Sequence, residues 1–474
     1  LLEKGEYTYD PNQHHGPTLY YFSLIPAWLQ AGTDFSQTTE TTFRIVPVVF
    51  GVGILGLLLL VRDGLGKKAT LAAAVITALS PAMVYYSRFY IQETLLVFFT
   101  FAAIATGWRY LKTRRIGWAI ALGASLAFMH ATKETCVIAF AAMAFALGLW
   151  ALLNRKKESL QDFWDGFHWW HAAALFGGAF VVWVTLYSSF FTHPSGLLDS
   201  VLTYVHYLRR AGGEGVHEHP WYYYLKFLSW NHDPPAPIWS EALIFLLAGF
   251  GAWAAFSRRS KIRGPLPQFF VFYSVALFAA YSAITYKTPW SILSAWHGVI
   301  IVAGVGCAGL WDLARPWWSK GLLAIVLLAG FSHLGYQAYK ANYSQWLCAS
   351  PRNPYAYAQT QSTFLKLVDR VNALAEVHPE GRNMMVKVVA HPHNTWPLPW
   401  YLRRFPNVGY YMRVEDVPVE PQAQVVITSK KNAEQIKKRL GGSFQMQYYG
   451  LRPGVLMVLL VREPLWEEFM QTRR

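Results

Sequence analysis

Five short stretches hold most of the residues that could do chemistry. YDPNQHHGPTLYYF, at positions 9–22, sets Asp10 ahead of the adjacent His14 and His15 and of Tyr20. SRFYIQE supplies Arg88 and Glu93, ATKET supplies Lys133 and Glu134, HEHP supplies His217 and His219, and YKTPW supplies Lys287. SRFYIQE, ATKET and YKTPW lie at the ends of long apolar runs, where ionisable groups are costly to hold and by default mark a pathway or a site, and the other two lie in loops outside those runs. Gathered in one cavity, they would set carboxylates beside several cations. That suits a base acting on a hydroxyl and a phosphate group that must leave.

Each stretch also has a plainer reading. Arg88 and Lys287 can snorkel to lipid headgroups from a span end. Glu93, at the first turn of an apolar helix, can simply complement the helix dipole. Adjacent histidines are usually hydrogen-bonded loop residues. His217 and His219 form a His-x-His pair, but two ligands are too few for zinc, so a divalent metal stays an open question and no cofactor is assigned. The aromatic run WYYYLKFLSW after them reads as a membrane-interface belt, or as rings that stack on a sugar or a lipid chain.

The elements that must position these residues follow from composition. The 474 residues are 54% hydrophobic and only 15% charged, too apolar for an ordinary soluble protein. Ten runs approach the roughly 20 apolar residues that a helix needs to cross a bilayer. They lie at about 44–62, 69–87, 92–111, 116–132, 136–153, 171–191, 239–256, 267–286, 291–311 and 320–339. Alternate connections carry Arg62, Lys67 and Lys68; Lys112, Arg114 and Arg115; Arg155, Lys156 and Lys157; Arg258, Arg259, Lys261 and Arg263; and Arg315 and Lys320. By the positive-inside rule these face the cytoplasm, and the five chemical stretches face outward. The formal net charge of +15 is therefore loop topology, with little support for nucleic acid as a partner. With residues 1–43 outside, a first span is expected upstream of Leu1. Cys136, Cys307 and Cys348 are far apart and imply no disulfide framework.

GLLDSVLTYVHYLRRAG, within the long outer stretch 192–238, puts Leu198, Val201, Leu202, Val205 and Leu208 on one side, as an interfacial helix would. Beyond about residue 341 the pattern becomes soluble. STFLKLVDRVNALAEV predicts a helix with Phe364, Leu367, Val368, Val371 and Leu374 on its buried face, stopped at His378-Pro379. MVKVVA, AQVVIT and VLMVLLV read as buried strands, and Ser429 is expected to cap a helix running through Leu440 to Gly441-Gly442. HPHNTWPLPWYLRRF reads as a rigid connector on the membrane surface, or as an acceptor or lipid-head contact, with Pro397 and Pro399 holding it extended before a brief helix. The expected architecture is a polytopic α-helical domain over 1–340 and a small extracytoplasmic α/β domain over 341–474, in the cell membrane.

At this point a resemblance enters. GEYTYDPNQHHGPTLYY resembles the first outer loop of the protein O-mannosyltransferases, and YYSRFYIQETLLVFF resembles the start of a later span in them, with Glu93 where they carry an acid. Both features belong to the GT-C superfamily of polyprenyl-phosphate-sugar-dependent glycosyltransferases, which includes the aminoarabinose transferase acting on lipid A. Over nearly the whole chain, YDP-HHGP-LYY, SRFYIQE, ATKET, HPWYYYL, YKTPW and WPLPWYLR are most similar to the flippase-activity-associated membrane proteins. The resemblance implies an inverting transfer from a polyprenyl-phosphate sugar to a glycan, lipid or protein acceptor among membrane lipids. Glu93 and Asp10 would be catalytic acids; Arg88, Lys133 and Lys287 would hold phosphate; and His14, His15, His217, His219 and Tyr20 would line the substrate cavity. Relatives carry an Asp-Glu pair early in the first outer loop, absent before GEYTYD here, so the principal base is expected upstream of Leu1. Two other classes stand beside the enzyme: a flippase component for lipid-linked oligosaccharide, and an accessory subunit without catalysis. Transport predicts inverted repeats and charges near the bilayer midplane. The charges here cluster at outer ends.

Overall fold

The computed structural model describes residues 1–12, 15–153, 168–211, 217–357 and 359–472, with the backbone alone at 207–211. The chain divides into two compact units, Leu1–Asn342 and Tyr343–Arg474.

The first unit is helical because a chain in lipid must satisfy its backbone hydrogen bonds within each segment. Among the described residues, seven helices are long and apolar enough to cross a membrane: Glu40–Leu65, Glu93–Thr113, Cys136–Leu153, Trp169–Tyr187, Pro265–Ala283, Leu293–Leu313 and Trp317–Tyr343. An eighth span is broken, Lys67–Leu79 meeting Pro81–Ser87 at 61°. Ile116–His130 and Ala242–Phe256 are apolar but shorter. All ten apolar runs of the sequence are thus helices. The loop cations Arg155, Lys156 and Lys157 lie outside the described residues.

Leu293–Leu313 is the central helix, packed against Lys67–Leu79, Ala242–Phe256 and Pro265–Ala283. Small residues let it come close. A Cβ on Gly306 would overlap the Leu247 carbonyl, and one on Gly251 would overlap that of Val302, so the two backbones are in direct contact.

The first 43 residues contain an element the apolar pattern does not announce, the helix Thr18–Ala31. At 14 residues it is apolar but too short to cross a bilayer, and Ile25, Trp28 and Leu29 are exposed on it. The helix Gly196–Ala211 leaves Leu198, Val201, Leu202 and Val205 exposed, as an interfacial helix does. The side chain of Leu208 lies outside the described residues.

The second unit is a five-stranded sheet in the order β2-β1-β3-β5-β4, from β1 (Val386–Val389), β2 (Val408–Tyr411), β3 (Val425–Ser429), β4 (Phe444–Arg452) and β5 (Val455–Arg462). The strands β1, β2 and β3 are parallel, and β5 is antiparallel to β3 and to β4. The helix Ser362–Val377 buries Phe364, Leu367, Val368, Val371 and Leu374 on one face of the sheet. Ala433–Leu440 covers the other through Ala433, Ile436 and Leu440.

Two local expectations are corrected. Ser429 does not cap the helix Ala433–Leu440: it ends β3, its carbonyl accepts from Asn432 N, and the N-cap is Asn432. The brief helix expected after WPLP is present as Leu398–Tyr401, but Pro399 lies inside its first turn, where a missing N–H costs nothing, so only Trp396 ahead of it is extended. Another turn, Pro392–Thr395, precedes it.

Candidate functional site

The turn 131–135 is where the chemical stretches converge. Gly16 lies against it so closely that a Cβ there would overlap the Ala131 carbonyl. Thr18 N donates to Ala131 O at 3.1 Å, and Thr18 Oγ1 donates to Thr132 Oγ1 at 2.9 Å. These bonds hold His15 over the turn, with Nδ1 2.8 Å from Glu134 Oε2. The next residue back, Lys133, points the other way and donates its ammonium to Glu93 Oε1. Two acid–base pairs therefore diverge from adjacent residues of a single turn.

Their surroundings differ. The Glu93 and Lys133 side chains are 5% and 8% exposed. Glu134 is as buried, at 4%, but its partner His15 is 40% exposed. Burial pushes the Glu134 carboxyl up, yet the His15 hydrogen bond and charge, helped by Lys133, outweigh it, and the net pKa lies below the ordinary value. Glu93 occupies the first turn of Glu93–Thr113.

A narrow crevice, with no room for even a water-sized sphere, adjoins the inner pair, lined by Glu93, Leu96, Lys133 and Thr135 on one side. Tyr281, Trp290, Ser291, Leu293 and Ser294 line the other. Rings from Tyr86 and Phe89 hold Trp290 in place, both with centroids 6.2 Å away. SRFYIQE, ATKET and the Trp290 end of YKTPW thus meet at one recess, and YDPNQHHGPTLYYF lies over the back of the same turn.

The other candidates are placed differently. HEHP pairs antiparallel with TYK: His219 N donates to Thr285 O at 3.1 Å and Lys287 N to His217 O at 2.9 Å. Lys287 itself is buried, its ammonium donating to His219 O at 3.0 Å and to Ile284 O. Burial lowers its pKa. Expected to grip phosphate, Lys287 instead pins the ribbon through backbone carbonyls. His217 rests on the Tyr286 ring, 5.1 Å between centroids, and His219 stacks on Tyr223 at 4.2 Å. The His219 pKa is lowered by burial, then by Lys287 and His217. Arg88 is half-buried and donates to Asn342 O at 3.2 Å. Asp10 accepts from Asn12 N at 2.8 Å and so shapes its own turn. The Tyr20 ring packs against Tyr7 at 5.7 Å. His14 lies outside the described residues. Among the described residues, no group of three His, Cys, Asp or Glu side chains could hold a metal ion.

One buried acid escaped the sequence reading. Glu241 is wholly buried and accepts from Ser80 Oγ, from Ala82 N at 3.0 Å and from Trp296 Nε1 at 3.2 Å. It ties the break in the bent span to the central helix. The signal was an acid just ahead of an apolar run, in SEALIFLL, the same signal that drew attention to Glu93.

Residues 23–186 match the family model of the dolichyl-phosphate-mannose-protein mannosyltransferases. No curated protein matches by sequence. Among solved structures, the chain is similar to ArnT from Cupriavidus metallidurans in the apo state, with a TM-score of 0.57 and 14% identity over 95% of this chain and 88% of that one. ArnT bound to undecaprenyl phosphate gives 0.58 and 13% over the same shares. The Archaeoglobus fulgidus oligosaccharyltransferase in the apo form gives 0.54 and 12%, over 97% of this chain and 70% of that one. At such identities the structural likeness is one of fold, and the fold is that of the GT-C superfamily.

Proposed function

We propose, from the premise that the chain is a GT-C membrane glycosyltransferase, that it transfers a sugar from a polyprenyl-phosphate donor to an acceptor hydroxyl at the outer membrane face. The observation that carries this reading is the buried Lys133–Glu93 pair adjoining the Trp290-lined recess. The bound undecaprenyl phosphate of the similar ArnT supports a polyprenyl carrier. The C-terminal unit lies outside the cytoplasm in this reading, and the membrane is the cell membrane.

The chemistry is an inverting displacement. The acceptor oxygen forms a bond to the anomeric carbon as the bond from that carbon to the phosphate oxygen breaks. The electron pair leaves with the polyprenyl phosphate, and the acceptor proton passes to a carboxylate. Lys133 stabilises the departing phosphate from a water-poor setting, where a cation is worth most. Glu93 holds Lys133 aimed until the donor arrives, and is a carboxylate lining the recess. Trp290 and Tyr281 offer faces for a sugar ring, with Ser291 and Ser294 as hydrogen-bonding partners.

The test is transfer of radiolabelled sugar from a set of polyprenyl-phosphate sugars in membranes, comparing the parent with Glu93→Gln and Lys133→Met. Each variant is expected to lose transfer by about 10²-fold or more, the scale of removing one transition-state electrostatic contact. Transfer within a few-fold of the parent in both folded variants rejects this site.

A further inference from the structure

Along one edge of the C-terminal unit, exposed apolar side chains stand beside exposed cations. The strands β1, β2, β3 and β4 all run in the same direction, so their carboxyl ends share an edge. Three large apolar side chains stand out along it. They are Trp396, in the segment after β1 and 64% exposed; Met412, directly after β2 and 67% exposed; and Leu456, at the start of β5 and 49% exposed. Arg413, after β2, and Lys430 and Lys431, after β3, are exposed beside them. Glu415 and Asp416 follow Arg413 in the chain, so the edge is mixed but predominantly basic.

This edge is built. Arg452, the last residue of β4, reaches across the sheet to the segment after β1, donating to His393 O and to Asn394 Oδ1 at 2.8 Å. Ala390 N, just past β1, donates to Tyr411 O at the end of β2 at 3.1 Å. The segment bearing Trp396 is thereby fixed over the edge, with its ring outward.

The chain also joins the unit at this edge. Gln361 N donates to Leu451 O at 2.9 Å, and Thr363 Oγ1 to Gly450 O at 3.1 Å, both at the carboxyl end of β4. The segment before Gln361 comes from the apolar helix Trp317–Tyr343. Its last turns expose Tyr336, Tyr339 and Tyr343, with exposed Trp346 just beyond, while Trp317 and Trp318 are exposed at its other end. Tyrosine and tryptophan in such bands mark the headgroup levels of a bilayer. The tether therefore leaves the membrane at headgroup level and reaches the sheet at the edge where Trp396, Met412 and Leu456 stand out.

We propose that this edge rests on the bilayer, with Trp396, Met412 and Leu456 set among anionic lipid headgroups and Arg413, Lys430 and Lys431 facing their phosphates. Each part matches a known element of interfacial binding: amphipathic rings and aliphatic tips at the acyl boundary, and basic side chains attracted to anionic lipids. The proposal rests on the membrane-spanning fold and is independent of the sugar-transfer reading.

The test uses the full chain carrying Cys348→Ser, reconstituted in nanodiscs containing anionic lipid. An environment-sensitive fluorophore is placed at Trp396→Cys, at Met412→Cys, and at Ser443→Cys on the opposite edge, about 30 Å away along β4. Lipids carrying a shallow chain quencher report proximity to the bilayer. The expected result is several-fold stronger quenching at 396 and 412 than at 443, falling markedly when Lys430→Glu and Lys431→Glu are added. Equal quenching at the three positions overturns the proposal. So does a label at 412 that is shielded from water yet unquenched by lipid, since a protein would then cover the edge. Quenching unaffected by the charge reversals overturns the headgroup recognition.

Discussion

The Lys133 ammonium and the Glu93 carboxylate are paired in a setting that leaves each side chain less than one-tenth exposed, although one closes a turn and the other opens a helix 40 positions earlier. Removing one partner strands the other. Lys133→Met or Glu93→Leu alone is expected to destabilise the fold by roughly 3–5 kcal/mol, whereas the double variant recovers most of that loss. Sugar transfer is expected to stay abolished in the double variant. Thermal unfolding and transfer measured on all four proteins separate the structural role of the pair from its chemical one. Recovery of transfer along with stability would leave the pair a purely structural feature.

His15 and Glu134 give the site a predicted response to acid. The pKa of Glu134 is held below its ordinary value near 4.5, so the folded state binds its proton less tightly than the unfolded chain does. Its contribution is complete above that ordinary value and is lost as pH falls through the depressed folded value. Replacing His15 with Phe removes the main cause of the depression. The melting temperature of His15→Phe is expected to fall less steeply below pH 4.5 than that of the parent, with the curves parallel near neutrality. Equal acid slopes would show that the pair adds nothing to stability.

In the C-terminal unit, Lys387 of β1 is fully buried and donates to Pro418 O at 2.7 Å, Val419 O at 3.3 Å and Pro421 O at 2.7 Å. The lysine pins the loop before β3. Lys387→Met is expected to cost about 1–3 kcal/mol, because residues 418–421 are exposed and their freed carbonyls can turn to water. Limited proteolysis should then cut within 414–423 while the sheet stays intact. Burial also lowers the Lys387 pKa, so below its ordinary value of 10.5 there is a window where the unfolded chain binds the extra proton. Stability of the parent relative to Lys387→Met should rise with pH through that window.

Much of this fold could be read from hydrophobicity because lipid imposes one rule on every span. The ten apolar runs are all helices, and the helix Ser362–Val377 buries the five residues its periodicity selects. The elements that escaped are short or exposed. Thr18–Ala31 is apolar but only 14 residues long, with Pro26 inside it, β2 is only four residues long, and β4 is an edge strand, most of it partly or fully exposed. At the site, the types and locations of Glu93 and Lys133 were legible, since a charge beside an apolar run is conspicuous. Their pairing was not, because it depends on which helix ends meet in space. Lys287 carried the same surface signal and turned inward, since two backbone carbonyls lay within reach of its ammonium.

Glu241 lies outside the recess yet governs one of its walls. It accepts from Ser80 Oγ and Ala82 N on the two sides of the 61° bend, and from Trp296 Nε1 on the central helix. The segment Pro81–Ser87 leaves that bend and leads through Arg88 to Glu93. A change in the bend is therefore carried along the chain to Glu93, the carboxylate of the proposed site. Glu241→Gln keeps the shape but weakens acceptance from three donors, of which Trp296 Nε1 also has Ser80 Oγ within reach at 3.3 Å. We expect faster hydrogen exchange across 88–93 and a kcat lower by about tenfold, the equivalent of roughly 1.4 kcal/mol, with KM little changed. The control is Asp63→Ala, which removes the Arg109 and Trp108 partners of a different helix pair. If Glu241→Gln and Asp63→Ala lower kcat in proportion to their loss of melting temperature, Glu241 is a stability residue alone. If only Glu241→Gln lowers kcat and loosens 88–93, the carboxylate sets the position from which Glu93 acts.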